Sequence, residues 1–316
     1  KTIVALSALE NDVWNPKKYI NCNGLTELYG EKFHCWKKKG HGPMNMRSAI
    51  QRSCDVYFYE VARLLGVDRL SETAKKFGLG KKVLDGFIEE RSGVVPNTAW
   101  KRKFIGKNWY LGETLHSGIG QGYFQSTPLQ LCLMTAQLAN GGFEIKPRVL
   151  VNNKKNRLKD YIDFKNKNPN DPLPIDMLVA NFDLKPLFRN QENINFVKDA
   201  MFAATNEPGG TSYRSRLNDK NFMFAGKTGS SQVKRFTELQ RELEVKQDDI
   251  IYKDRDHALF IAFAPFSDPK YAISVVVEHG GSGSSSAAPI AKKVIKKVLE
   301  RDKIREKFNN LTSEEI

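Results

Sequence analysis

Three places in the chain carry residue types whose spacing could do chemistry. Ala225-Gly226-Lys227-Thr228-Gly229-Ser230 follows Phe222–Ala225, an apolar stretch that predicts a strand. A lysine and a threonine hydroxyl on an edge strand, followed by a glycine that lets a ligand lie close, make a cradle for a carboxylate and an extended peptide backbone. The triplet Lys227-Thr228-Gly229 is a weak signal alone, because ordinary composition produces it by chance. Ser53-Cys54-Asp55 stands at the head of the helical run Val56–Leu65, where a serine reads most simply as a helix cap. Lys1 opens another helical run. A serine three residues ahead of it would share its face and bring a hydroxyl within reach of the amine.

A fourth constellation could hold a metal. Cys22, Cys35, His41 and Cys54 are spaced Cys-x12-Cys-x5-His-x12-Cys. Three thiolates and one imidazole make a full tetrahedral set for structural zinc, with His34 an alternative to His41. A Cys22–Cys35 disulfide and unrelated buried thiols are the other readings. The disulfide leaves one thiol over. Cys132 lies inside an apolar helix and reads as core.

These residues need elements to position them. Residues 1–10 read as helix, and with no cap ahead of the apolar run the sequence reads as starting inside a domain. Residues 11–48 read as a loop-rich segment. Helix resumes near Met46, Val56–Leu65 stops at Gly66, and Ser71–Phe77 forms a further short helix. Between Ile88 and Gln125 there is little periodicity. Thr127-Pro128 then caps and opens an apolar helix that runs to Asn140. Residues 151–186 read as a surface excursion. Val197–Thr205 is predicted helical, and Phe222–Ala225, Ala258–Ala264 and Ala272–Glu278 are predicted strands, the last two joined as an antiparallel hairpin. A charged insert, Lys234–Asp256, separates the first strand from the second. Pro289 opens a final helix ending near Arg301, and residues 300–316 read as a polar tail.

Composition narrows the function. With 316 residues, 40% of them hydrophobic, the chain can bury a large core. Lys and Arg number 50 against 36 Asp and Glu, a formal charge of +14, which raises the question of an anionic partner. The densest basic runs, Trp36–Lys39 and Lys292–Lys297, lack the aromatic interleaving of a nucleic-acid module, so no nucleic-acid partner is expected. No apolar stretch approaches the length of a membrane span.

Lys1, Ser53-Cys54-Asp55 and Lys227-Thr228-Gly229 occur in the order of the three motifs of penicillin-recognising serine enzymes: Ser-x-x-Lys, Ser-x-Asn and Lys-Thr-Gly. Together with Gly118-Ile119-Gly120-Gln121-Gly122-Tyr123, Thr127-Pro128-Leu129-Gln130, Asp256-His257-Ala258 and Glu278-His279-Gly280-Gly281, they make nearly the whole chain resemble the class B penicillin-binding proteins of the elongation type, the penicillin-binding protein 2 group. The resemblance implies an α/β fold of the α+β type, with an antiparallel sheet flanked by helices plus a helical lobe. Residues 1–316 would then be one transpeptidase domain, truncated at its N-terminus and lacking the first strands.

The implied activity is D,D-transpeptidation of peptidoglycan stem peptides through a serine acyl-enzyme, with β-lactams as inhibitors. A β-lactamase and a non-catalytic scaffold or sensor are the alternatives. The nucleophilic serine would fall three residues before Lys1, so the chain as given would be inactive. The implied catalytic residues are Lys1 as base, Ser53 as proton relay, Asp55, Lys227 and Thr228 as carboxylate holders, Gly229, and Ser230 as a backbone oxyanion donor. Asp55 departs from the asparagine of the motif. No cofactor is required for the chemistry. Some members of the resembled family carry a metal beside the second motif, which favours structural zinc; a bound Cys54 would pin Ser53 and Asp55 towards the cleft. The implied partners are stem peptides, lipid-linked substrate, an elongation glycosyltransferase and scaffold proteins. The implied location is the bacterial inner membrane, reached through a missing N-terminal helix, with the domain in the periplasm.

Overall fold

Thr2–Glu10 (α1) is apolar all round, and such a helix belongs inside: Val4, Ala5, Leu6, Ala8 and Leu9 are all buried. In this computed structural model, which describes residues 1–84, 87–147, 149, 167, 186–234, 237, 240, 243, 245 and 247–314, α1 is the axis of a helical lobe. Against it pack α3 (Asp55–Leu65), α4 (Val67–Lys76) and α8 (Gln191–Asn206), and the chain also forms α2 (Met46–Gln51), α5 (Thr98–Ile105), α6 (Leu111–Gly118) and α7 (Pro128–Ala139). Thr127 caps α7 through a reciprocal bond with Gln130, with Pro128 in the first turn, as the sequence predicts.

Strands β5 (Ala225–Ser231), β6 (His257–Ala264) and β7 (Tyr271–Val277) form an antiparallel sheet in the order β5-β6-β7. Lys227 lies opposite Ile261, and Thr228 opposite Phe260. Alternation along the strands sorts the side chains into two cores. Ala225, Ile261 and Phe263 join the core of the helical lobe, whereas Phe224, Ala258, Phe260 and Ala262 pack against Ala288, Ala291, Ile295 and Leu299 of α9 (Ala288–Glu314). The sheet is therefore a middle layer between α9 and the lobe. This is the antiparallel, helix-flanked α/β arrangement that the sequence implied.

The differences are local. Residues 11–48 hold four short strands, β1 (Ile20–Cys22), β2 (Leu25–Leu28), β3 (Glu31–His34) and β4 (Gly42–Met44), paired β1–β4 and β2–β3. The stretch from Ile88 to Gln125 contains α5 and α6, each started by side-chain capping at Asn97 and at the Tyr110–Glu113 box rather than by periodicity. The first sheet strand begins at Ala225, because Lys220–Phe222 closes into a 3-10 turn capped by Asp219. The last helix continues through the polar segment to Glu314. Most of the expected excursion over 151–186, and part of the 234–256 insert, lie outside the described residues.

Gly118 marks where α6 meets α3. A Cβ there would sit 2.3 Å from the Ala62 Cβ and 3.1 Å from the Phe58 carbonyl oxygen. Gly118→Ala must push the two helices apart, and we expect a loss of about 1–3 kcal/mol in denaturant unfolding of the full-length protein.

Candidate active site

The turn between α2 and α3 carries the first half of the site. Ser53 has φ +55°, a left-handed conformation that costs a non-glycine residue on the order of 1 kcal/mol or more. It persists because the surroundings hold it. Trp36 Nε1 donates to the Ser53 carbonyl at 2.9 Å, and the Ser53 N–H donates to the Ile50 carbonyl at 3.2 Å. Lys1 Nζ donates to Ser53 Oγ at 3.2 Å and pairs with Asp55 Oδ1 at 2.7 Å. The other carboxylate oxygen of Asp55 accepts from the Trp36 N–H at 2.8 Å. Both oxygens thus accept from donors, which a carboxylate does and an amide cannot; that is the physical difference made by Asp55 standing where the motif has Asn. The N-cap of α3 is Cys54. Ser53 is therefore not the helix cap, and its hydroxyl is left to Lys1.

The second half comes from β5. Lys227 is buried, and burial first, then the charge of Lys1, pushes its proton affinity well below the ordinary lysine value, with Asp55 opposing. Lys227 Nζ donates to the Thr228 carbonyl at 3.0 Å, and Thr228 Oγ1 donates to Thr211 Oγ1 at 2.9 Å. Gly229 sits opposite Leu259 and Ser230 opposite Ala258. The Ser230 carbonyl accepts from Gln121 Nε2 at 2.8 Å. Lys1, Ser53, Asp55 and Lys227, up to 226 positions apart in the chain, thus share one electrostatic neighbourhood. An amine touching a hydroxyl, beside a second amine and an exposed strand edge, is equipped to move a proton next to a bound carboxylate.

The ligand atoms of Cys22, Cys35, His41 and Cys54 lie within 4.8 Å of one another, all four residues buried. Cys22 and Cys35 are free thiols rather than a disulfide. Their sulfurs stand 3.6 and 3.5 Å from His41 Nδ1. A tetrahedral zinc with ordinary Zn–S and Zn–N lengths gives sulfur–nitrogen edges of about 3.5 Å, so the donor set fits that ion. A hydrogen bond from the Cys54 thiol holds Cys35 well below the usual thiol value, while the same bond and burial push Cys54 up. His34 is not in the group; its carbonyl accepts from Tyr59. The cluster touches the Ser53–Asp55 turn directly, since the Asp55 N–H points at Cys35 Sγ, 3.4 Å away.

Sequence reasoning missed several residues. Trp36 read as part of a basic run, yet it ties Ser53 and Asp55 together. Thr211 follows Gly209-Gly210, the only local hint of a close approach. Gln121 lies in a quoted motif but carried no role. Trp109 donates to Thr114 at 2.8 Å, and His257 accepts the His279 N–H at 2.9 Å.

The penicillin binding protein transpeptidase domain family matches residues 1–296. Peptidoglycan D,D-transpeptidase MrdA of Escherichia coli K12 is 33% identical over 285 residues, 90% of this chain and 42% of the relative. The same-named protein of Acinetobacter baumannii is 34% identical over 295 residues, 92% of this chain and 40% of the relative. Among solved structures, the complex between penicillin-binding protein PBP2 and MreC from Helicobacter pylori superposes with a TM-score of 0.77 at 32% identity, covering 95% of this chain and 48% of that one. Pseudomonas aeruginosa PBP2 in complex with WCK 5153 gives 0.73 at 34%, covering 94% and 59%. The chain spans less than half the length of the curated relatives it matches.

Asp55 compensates a buried ammonium, the two side chains being 9% and 12% exposed. Asp55→Ala leaves Lys1 without its counter-charge and should cost about 3–5 kcal/mol in urea unfolding. Asp55→Asn, which keeps one acceptor, should cost less.

Proposed function

The chain belongs to the penicillin-binding protein transpeptidase family, and on that premise we propose that it is the catalytic part of a peptidoglycan D,D-transpeptidase that cross-links stem peptides during cell-wall elongation. The observation that carries this reading is the contact of Lys1 with Ser53 and Asp55 beside Lys227 at the β5 edge.

The proposed nucleophile is a serine three residues ahead of Lys1. It attacks the carbonyl of the penultimate D-alanine, and Lys1, as a neutral amine, takes its proton and becomes the ammonium that Asp55 pairs with. Ser53, in contact with Lys1, passes a proton to the nitrogen of the departing D-alanine, leaving an ester on the serine. Lys227 and Thr228 hold the terminal carboxylate; a bound anion would offset the burial and the Lys1 charge that disfavour the Lys227 ammonium. Gly229 lets the peptide lie against the strand. The Ser230 N–H would stabilise the oxyanion, a contribution of about 3–4 kcal/mol for one such donor. An amine from a neighbouring stem peptide then takes the acyl group and frees the serine. β-Lactams resemble the D-alanyl-D-alanine end and stop at the ester.

No cofactor enters this chemistry. Cys22, Cys35, His41 and Cys54 would hold a zinc ion whose work is mechanical, keeping the Ser53–Asp55 turn facing the cleft. The reading extends to lipid-linked substrate, an elongation glycosyltransferase and a scaffold, the last supported by the Helicobacter relative solved with MreC. It also places the domain in the periplasm, anchored to the inner membrane by a segment outside the present sequence. No described helix is long and apolar enough to cross a membrane.

Full-length protein should bind a fluorescent penicillin stoichiometrically, replacement of the serine ahead of Lys1 by Ala should abolish this, and Lys1→Ala should slow it about 100-fold or more. Rapid nitrocefin turnover would instead mark a β-lactamase. A residue other than serine at that position, with no labelling, would mark a scaffold. For the metal, purified protein should contain one zinc per chain, and a chelator should lower the melting temperature and slow labelling together. Metal-free protein of unchanged stability would remove the zinc.

A further inference from the structure

The edge of β5 away from β6, which no described strand pairs, carries two carbonyls bonded by side chains rather than by a neighbouring backbone. Thr228 O accepts from Lys227 Nζ at 3.0 Å, and Ser230 O accepts from Gln121 Nε2 at 2.8 Å. In an antiparallel ladder, a residue turns its N–H and C=O to the same side, and residues two apart turn to the same side as each other. β6 occupies the other side. Thr228 and Ser230 therefore present both backbone groups to the cleft. Gly229 is the inward position: its N and O gather with Leu259 O around Gly283, where a Cβ would lie 3.1, 2.6 and 2.4 Å from them.

A peptide that adds to this edge as an antiparallel strand meets Ser230 with one residue of its own. The residue whose carbonyl reaches the Ser230 N–H also brings its amide N–H to Ser230 O. In the free protein that acceptor is already taken by a carboxamide, chemically the same donor as a peptide N–H.

Gln121 is well placed to hold it. Its backbone N–H donates to the His116 carbonyl at 3.0 Å, and it stands between Gly120 and Gly122, both left-handed at φ +82° and +77°. Tyr123 anchors the same loop through Glu113, whose carboxylate is paired with the buried ammonium of Lys101. The loop is fixed from behind while the side chain reaches across to the strand.

Resting on the transpeptidase reading above, we propose that Gln121 is a specificity-determining residue: its carboxamide occupies Ser230 O in the free protein as a stand-in for the amide N–H of the substrate, and yields to ligands that bring an amide of their own. Such a ligand replaces the bond it breaks. A ligand without the amide has nothing to offer the acceptor and leaves Gln121 where it is. The bond therefore weighs on amide-bearing ligands alone and sets how tightly they bind relative to ligands without the amide.

The test uses full-length protein, a penicillin with a side-chain amide and a carbapenem without one, and resolves acylation into apparent dissociation constant and limiting rate. Gln121→Met keeps the length and loses the donor, and Gln121→Asn keeps the donor but falls short. Removing a competing hydrogen bond should tighten penicillin binding about three- to tenfold in both variants. The limiting rate and the carbapenem constants should stay unchanged, and melting temperature reports whether each variant folds. Unchanged or weaker penicillin binding would overturn the proposal, as would equal shifts for both drug classes, which would mean a loosened loop. Wild-type protein that is not acylated at all fails the transpeptidase reading, and this inference falls with it; normal wild-type acylation without the selective shift fails the Gln121 inference alone.

Discussion

The site depends on keeping a short turn in a conformation it would not hold alone. Ser53 is left-handed; its peptide is tied by the Trp36 indole and the Ile50 carbonyl, and its hydroxyl by Lys1. Asp55 closes the arrangement by accepting from the Lys1 ammonium and from the Trp36 N–H. Isolated, the buried ammonium, the buried carboxylate and the strained serine would each be costly. Together they satisfy one another, so the turn behaves as a unit.

That unit is clamped from behind by residues far from the chemistry. The strands at 20–22 and 42–44 bring Cys22 beside His41, Cys35 follows β3, and Cys54 heads α3, so three sulfurs and an imidazole meet against the back of the Ser53–Asp55 turn. The front face is set by the sheet. Pairing of β5 with the apolar strand β6 leaves the other edge of β5 without a strand partner among the described residues, while α9 covers one face of the sheet and the helical lobe the other. An exposed strand edge usually invites aggregation. Here Lys227 and Gln121 occupy its carbonyls, leaving backbone groups that an extended peptide can use.

Two features illustrate how propensity was overruled. Ala225–Ser231 is rich in Gly and Ser and has poor intrinsic preference for a strand, yet it forms seven ladder positions because β6 supplies the partner and the buried face. The segment from 11 to 48 is polar and irregular, and its strands of three or four residues exist only as pairs. Local pattern cannot reveal either, since the stabilising contact comes from elsewhere in the chain.

What the sequence by itself determined is what is encoded within a turn or two of chain: the apolar helices α1, α3 and α7, the β6–β7 hairpin, and the order of Lys1, Ser53-Cys54-Asp55 and Lys227-Thr228-Gly229. It also determined the chemistry that Cys22, Cys35, His41 and Cys54 could offer, because thiol and imidazole are properties of residue type. Only the tertiary structure decided that Cys54 rather than Ser53 heads α3, that Trp36 braces the site, and that Gln121 reaches Ser230 across 109 positions. Those outcomes depend on which surfaces meet when the lobe closes on the sheet, and side-chain contacts between distant segments leave no periodicity in the chain that makes them.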